Sequence, residues 1–131
     1  MNWKFTCELI SKLSLPPEIT FPQVLNYLNP ENNSFYILEN ENGYIQCAGS
    51  KSNCTIEFRE YLKDGLFKHF VFFDPNGGSE KMDYKMSNRQ ISRMEKHSFK
   101  FLKAAKLFSC FYENKDWPEG FELEEITKEF K

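Results

Sequence analysis

Apolar and polar positions alternate most cleanly over Cys54–Tyr61. Cys54, Ile56 and Phe58 fall on one side, and Thr55, Glu57, Arg59 and Tyr61 on the other, the period-two pattern of a strand with two different faces. Shorter β-prone runs surround it at residues 34–38, 44–48 and Phe67–Phe73. Turn residues separate these runs at 39–43, at Gly49-Ser50 and at Lys63-Asp64-Gly65. Residues 74–78 (Asp-Pro-Asn-Gly-Gly) form the strongest loop signal in the chain. Connections this short join antiparallel neighbours rather than parallel ones.

The pattern changes towards the C-terminus. Residues 81–95 fit two descriptions: a hairpin of 81–86 and 90–95 joined by Ser87-Asn88, or the front of a long helix capped by Ser87. The hairpin is the preferred reading. From 98 to 113 a helix is predicted, with Phe101, Ala104, Ala105, Phe108, Phe111 and Tyr112 in one apolar stripe and Lys100, Lys103 and Lys106 on another face. Asn114 to Pro118 breaks it, and alternation over 121–126 predicts a last short strand. Near the N-terminus, residues 3–13 are mildly apolar without a clear type and end at Pro16-Pro17. Thr20 then caps a short helix that has Pro22 in its first turn, places Val24, Leu25 and Leu28 on one face, and stops at Asn29-Pro30. The expected architecture is one α+β domain over 1–131: a mainly antiparallel sheet, a helix at about 98–113 packed on one face, and a short N-terminal helix.

Composition narrows the function classes. In a chain of 131 residues, 40% hydrophobic and 27% charged content suits a packed core rather than disorder, and 14 Phe make that core unusually aromatic. Met1 to Glu8 lacks the apolar stretch of a signal peptide and no run approaches a membrane span, so a cytoplasmic location and no membrane partner are expected. Cys7, Cys47, Cys54 and Cys110 have no ligand spacing and read as free core thiols. No metal or cofactor is expected.

Charge is segregated along the chain. Residues 1–50 carry a net −3, residues 51–112 a net +5 and residues 113–131 a net −4. Such blocks either neutralise one another in the fold or steer a charged partner. The basic part of 81–106 (Lys81, Lys85, Arg89, Arg93, Lys96, Lys100, Lys103 and Lys106) would suit nucleic acid, but the chain as a whole is acidic and carries no nucleic-acid module motif. A catalytic reading would centre on His69 with a carboxylate, although no nucleophile–base signature accompanies it. Glu57 and Arg59, with Gln46 beside them on the adjacent strand, make either a cross-strand ion pair or an exposed recognition face.

The run Tyr44-Ile45-Gln46-Cys47-Ala48-Gly49-Ser50, then Thr55-Ile56-Glu57-Phe58-Arg59-Glu60 and His69-Phe70-Val71, together with 105–112, Pro118 and Ile126-Thr127, resembles a family of small bacterial immunity proteins. These accompany polymorphic toxins, including those of contact-dependent growth inhibition systems. The resemblance covers roughly residues 34–130. It implies a non-catalytic cytoplasmic inhibitor whose partner is a cognate toxin domain, often a nuclease. Because nucleases present basic substrate clefts, the expected contact is acidic: Glu113, Asp116, Glu119, Glu122 and Glu124, with Glu57 a further candidate. The alternatives are a nucleic-acid-binding regulator using 81–106 and a small enzyme centred on His69. The toxin, the interface and the oligomeric state are left open by the sequence.

Overall fold

The computed structural model describes residues 2–10 and 20–130. Six strands form one antiparallel sheet in the order β1 (Lys4–Cys7), β2 (Phe35–Asn40), β3 (Gly43–Gly49), β4 (Cys54–Tyr61), β5 (Phe67–Phe73) and β8 (Glu122–Glu125). The strands β6 (Lys81–Met86) and β7 (Arg89–Met94) form a separate hairpin. Two helices, α1 (Phe21–Leu25) and α2 (Phe101–Glu113), complete the architecture. No helix among the described residues is long and apolar enough to cross a membrane. The expected α+β class with a mainly antiparallel sheet is what the chain adopts. Residues 81–95 are the hairpin rather than the front of a long helix.

Sequential strands meet because the turns between them are tight. Asn42 N–H donates to Asn40 Oδ1 at 2.7 Å, which stabilises the turn between β2 and β3. Gly43 follows at φ 156°, and a Cβ there would stand 2.0 Å from the Arg59 carbonyl oxygen, so only glycine lets β3 approach β4 at this point. The unassigned apolar stretch near the N-terminus is edge strand β1 over Lys4–Cys7, paired Phe5 to Leu38 and Cys7 to Tyr36. Residues 11–13 of that stretch and Pro16-Pro17 lie outside the described residues.

The two sheet faces are covered differently. On one face Phe5, Tyr36, Leu38, Ile45, Cys47, Cys54, Ile56 and Phe72 meet α1 and α2, whose Phe21, Leu25, Ala104, Ala105, Leu107 and Phe108 are buried. Phe21 and Phe108 rings pack at 5.8 Å between centroids, nearly edge to face. Burial pushes the Cys54 thiol up to about 12, so this cysteine is an inert part of the core. Over the opposite face lies the hairpin. Tyr84 packs against Gly49, where a Cβ would meet its ring carbon at 3.1 Å, and Arg93 reaches Glu57.

Helix α2 begins three residues later than periodicity implies. The backbone of Phe99 exchanges two hydrogen bonds with Cys54, at 2.8 and 2.9 Å, which holds it extended, and Lys100 is extended as well. The Ser98 hydroxyl donates to Asn53 instead of capping a helix. At the other end Asn114 takes the left-handed conformation (φ 55°), and Lys115 N–H donates to Cys110 O at 2.9 Å, closing the helix.

Phe108 is fully buried between α1 and the sheet, whereas Leu102 on the same helix is 57% exposed. Phe108→Ala is therefore expected to cost about 3–5 kcal/mol in urea unfolding, and Leu102→Ala less than about 0.5 kcal/mol. Equal losses would show that α2 docks through a different face.

Candidate functional site

On the face away from α2, the register puts Gln46 beside Glu57 and Arg59 beside His69. This is the polar face anticipated in sequence, but it is not exposed. Glu57 is 4% and His69 1% accessible, because the hairpin and a 3-10 turn at Thr127–Phe130 lie over them. Glu57 as a direct partner contact is thus corrected. Its strand position is as expected, but a carboxylate on a central strand is costly to bury and has drawn its partners over itself.

Those partners fix the chemistry. Arg59 Nε, which always carries hydrogen, donates to His69 Nδ1 at 3.0 Å. Nδ1 is therefore an acceptor, and the ring proton sits on Nε2, which donates to Glu57 Oε1 at 2.6 Å. The other Glu57 oxygen faces Arg93 at 3.4 Å, and Arg93 also reaches Glu129 at 3.4 Å. The Arg59 guanidinium lies 3.9 Å from the Phe67 ring centroid and 4.7 Å from that of Phe130. Phe130 also packs on the His69 ring at 4.4 Å. His69 backbone N–H donates to the Thr127 hydroxyl at 3.0 Å, and Ile126 N–H to His69 O at 2.8 Å. Both ring nitrogens are occupied by protein groups, so the geometry describes a pinned buried network, not a base presented to a substrate.

The other expected acidic residues, Glu113, Asp116, Glu119, Glu122 and Glu124, are all exposed, but they do not form one patch. Glu122 and Glu124 pair with Phe73 and Val71, which turns them towards the hairpin face. Glu124 meets His97 Nε2 at 3.1 Å and Lys96 Nζ at 3.9 Å. Glu113, the last residue of α2, pairs with Lys115 at 2.8 Å on the opposite side of the sheet, and Asp116 follows in the connecting loop. Asp116, Glu119 and Glu122 have no ion pair among the described residues. The basic stretch is divided too. Lys81, Lys85 and Arg89 stand on the hairpin, and Lys103 and Lys106 on α2 across the sheet, with Lys100 just before its first turn.

Asp116 belongs to a feature that periodicity did not reveal. Where α2 ends beside the β2–β3 turn and the end of β4, a cleft of about 430 Å³ opens. Its floor is aromatic: Trp3 packs on Phe111 at 5.6 Å and on Tyr112 at 4.9 Å, and Phe58 on Phe111 at 5.8 Å and on Trp117 at 5.3 Å. Its rim is polar, with Asn40, Asn42, Glu60, Tyr61, Lys115 and Asp116. Tyr61 donates to Glu39, and burial together with that carboxylate pushes its hydroxyl well above the ordinary tyrosine range, leaving it a neutral donor. Glu60 shares the face of Ile56 and Phe58 in the period-two pattern of β4, the one sequence signal that anticipates its place here.

No protein-family model, curated protein or solved structure matches this chain.

The network supports a stability test. Glu57→Ala leaves the buried His69 without its acceptor and Arg93 with Glu129 alone, and is expected to cost about 3–5 kcal/mol in chemical denaturation, whereas Glu124→Ala removes a half-exposed carboxylate and should cost less than about 1 kcal/mol. A Glu57→Ala loss no larger than that of Glu124→Ala would mean that the network contributes little.

Proposed function

We propose that the chain is an immunity-type inhibitor that binds a cognate toxin domain in the cytoplasm and blocks its active site or substrate surface. The observation that carries this reading is the acidic surplus of residues 113–131, where Asp116 beside the end of α2, Glu119 in the following loop and Glu122 on the hairpin side of the sheet are exposed without an ion pair among the described residues. Exposed, unpaired carboxylates of this kind complement the basic clefts with which nucleases hold phosphate backbones. The resemblance to immunity proteins adds to it. The two segments that carry most of the resemblance are the neighbouring central strands β3 and β4, so the shared residues fall where a common scaffold would need them. Surfaces outside those strands are then free to differ with the toxin.

Two geometric facts weigh against the alternatives. Both nitrogens of His69 are engaged within the protein, which disfavours a general base there. The division of the basic stretch between the hairpin and α2, on opposite faces of the sheet, disfavours one continuous nucleic-acid stripe.

The test is association kinetics with the cognate toxin domain that this reading requires. The variant Asp116→Lys/Glu119→Lys/Glu122→Lys should associate at least about tenfold more slowly at low salt, with a flattened salt dependence and an unchanged melting temperature. Lys100→Glu/Lys103→Glu/Lys106→Glu should associate as the parent does. If only the α2 variant loses binding, the acidic-surface reading is wrong.

A further inference from the structure

The cleft at the C-terminal end of α2 has a composition that selects one kind of occupant. Four features converge on it. The first is the fixed aromatic floor of Trp3, Phe58, Phe111 and Trp117. The second is a pair of exposed carboxylates, Glu60 and Asp116, on its rim. The third is the helix end itself. Cys110, Phe111, Tyr112 and Asn114 line the cleft, and the terminus of a helix of 13 residues carries a partial negative charge of about half an electron. The fourth is the state of the local cation: among the described residues lining the cleft Lys115 is the one cation, and it is bound to Glu113 at 2.8 Å. Negative potential over a cluster of edge-packed aromatic rings attracts a cation with a flat, weakly hydrated head.

We infer that this cleft is the anchor site for an arginine side chain projecting from a basic protein partner. The guanidinium lies against the aromatic floor while its N–H groups donate to the Glu60 and Asp116 carboxylates. Arginine fits better than lysine because its planar head can stack and donate in the same plane, which a compact ammonium cannot do. The protein already holds one of its own arginines in this manner, with Arg59 against the Phe67 and Phe130 rings and its Nε bonded to His69. Aromatic-floored pockets with polar rims are where binding energy concentrates at protein interfaces. The inference rests on the inhibitor reading for the identity of the partner, but the chemistry of the cleft can be tested without it.

The chain has two tryptophans, Trp3 and Trp117, and both line this cleft, so indole signals report its occupancy. The probe is acetyl-Gly-Gly-Arg-Gly-Gly-amide, titrated into the full chain while indole N–H resonances and fluorescence are followed. The control peptide has the neutral isostere citrulline in place of arginine. The arginine peptide should shift both indole signals saturably, at roughly millimolar concentration for a single anchored side chain, and the citrulline peptide at least about tenfold more weakly. Glu60→Gln/Asp116→Asn should lose the response by a similar factor, while Glu122→Gln/Glu124→Gln, on the other side of the sheet, should keep it. Equal responses to the two peptides, or an undiminished response in Glu60→Gln/Asp116→Asn, would overturn the assignment. So would its loss in Glu122→Gln/Glu124→Gln, because a diffuse acidic field would then suffice. With the toxin domain, undiminished binding by Glu60→Gln/Asp116→Asn removes the cleft from the interface and leaves the inhibitor reading standing. A toxin domain that ignores the parent protein ends that reading, while the peptide titration still decides the chemistry of the cleft.

Discussion

A carboxylate on a central strand organises much of this molecule. Glu57 sits in β4, with β3 and β5 on either side, and an unpaired negative charge there would be untenable out of water. The response is assembled from four parts of the chain. His69 comes from the next strand, Arg59 holds the His69 ring from the other side, Arg93 arrives on the hairpin, and Glu129 steadies Arg93 from the C-terminal turn. Each partner is positioned by a different element, so satisfying one charge also docks the hairpin and the turn onto the sheet. The aromatic core on the opposite face supplies cohesion without direction; the polar network supplies direction.

That division explains which parts of the architecture could be read from residues alone. Strands β4 and β5 were legible to the residue, because each has one face in an apolar core and because Lys63-Asp64-Gly65 separates them. The hairpin was only the preferred of two readings, because Ser87 serves a turn or a helix cap equally well and its strands are poor in β-branched residues. β1 was not, because a four-residue edge strand has too few alternations to outweigh its flanks. The start of α2 was misplaced for a tertiary reason: a bridge from Phe99 to Cys54, 45 positions away in sequence, takes the backbone that a helix would need. Long-range pairing of this kind leaves no trace in local periodicity.

The candidate site was legible only in fragments. The exposure of Glu113, Asp116, Glu119, Glu122 and Glu124 could be anticipated from their charge, but not their separation. An alternating strand sends Glu122 and Glu124 to one side of the sheet, while the helix end keeps Glu113 on the other. Glu57 was visible as the neighbour of Arg59, yet its burial depended on a hairpin some 30 residues downstream. The cleft draws on Trp3, Glu60 and Trp117, which are remote from one another in sequence and share no spacing. Only the meeting of β1, β4 and the end of α2 makes them neighbours.

The late arrival of β8 has a consequence for how the chain reaches this structure. Strand β5 ends at Phe73, and its outer neighbour begins only at Glu122, after the hairpin and α2 have intervened. Until that segment returns, β5 is an open edge backed by Phe70 and Phe72, a row of unsatisfied amides beside aromatic rings. Closing so wide a sequence interval is entropically slow compared with forming the β2–β5 meander. The nascent sheet therefore passes through a period in which another copy of the chain is a competing source of the missing strand.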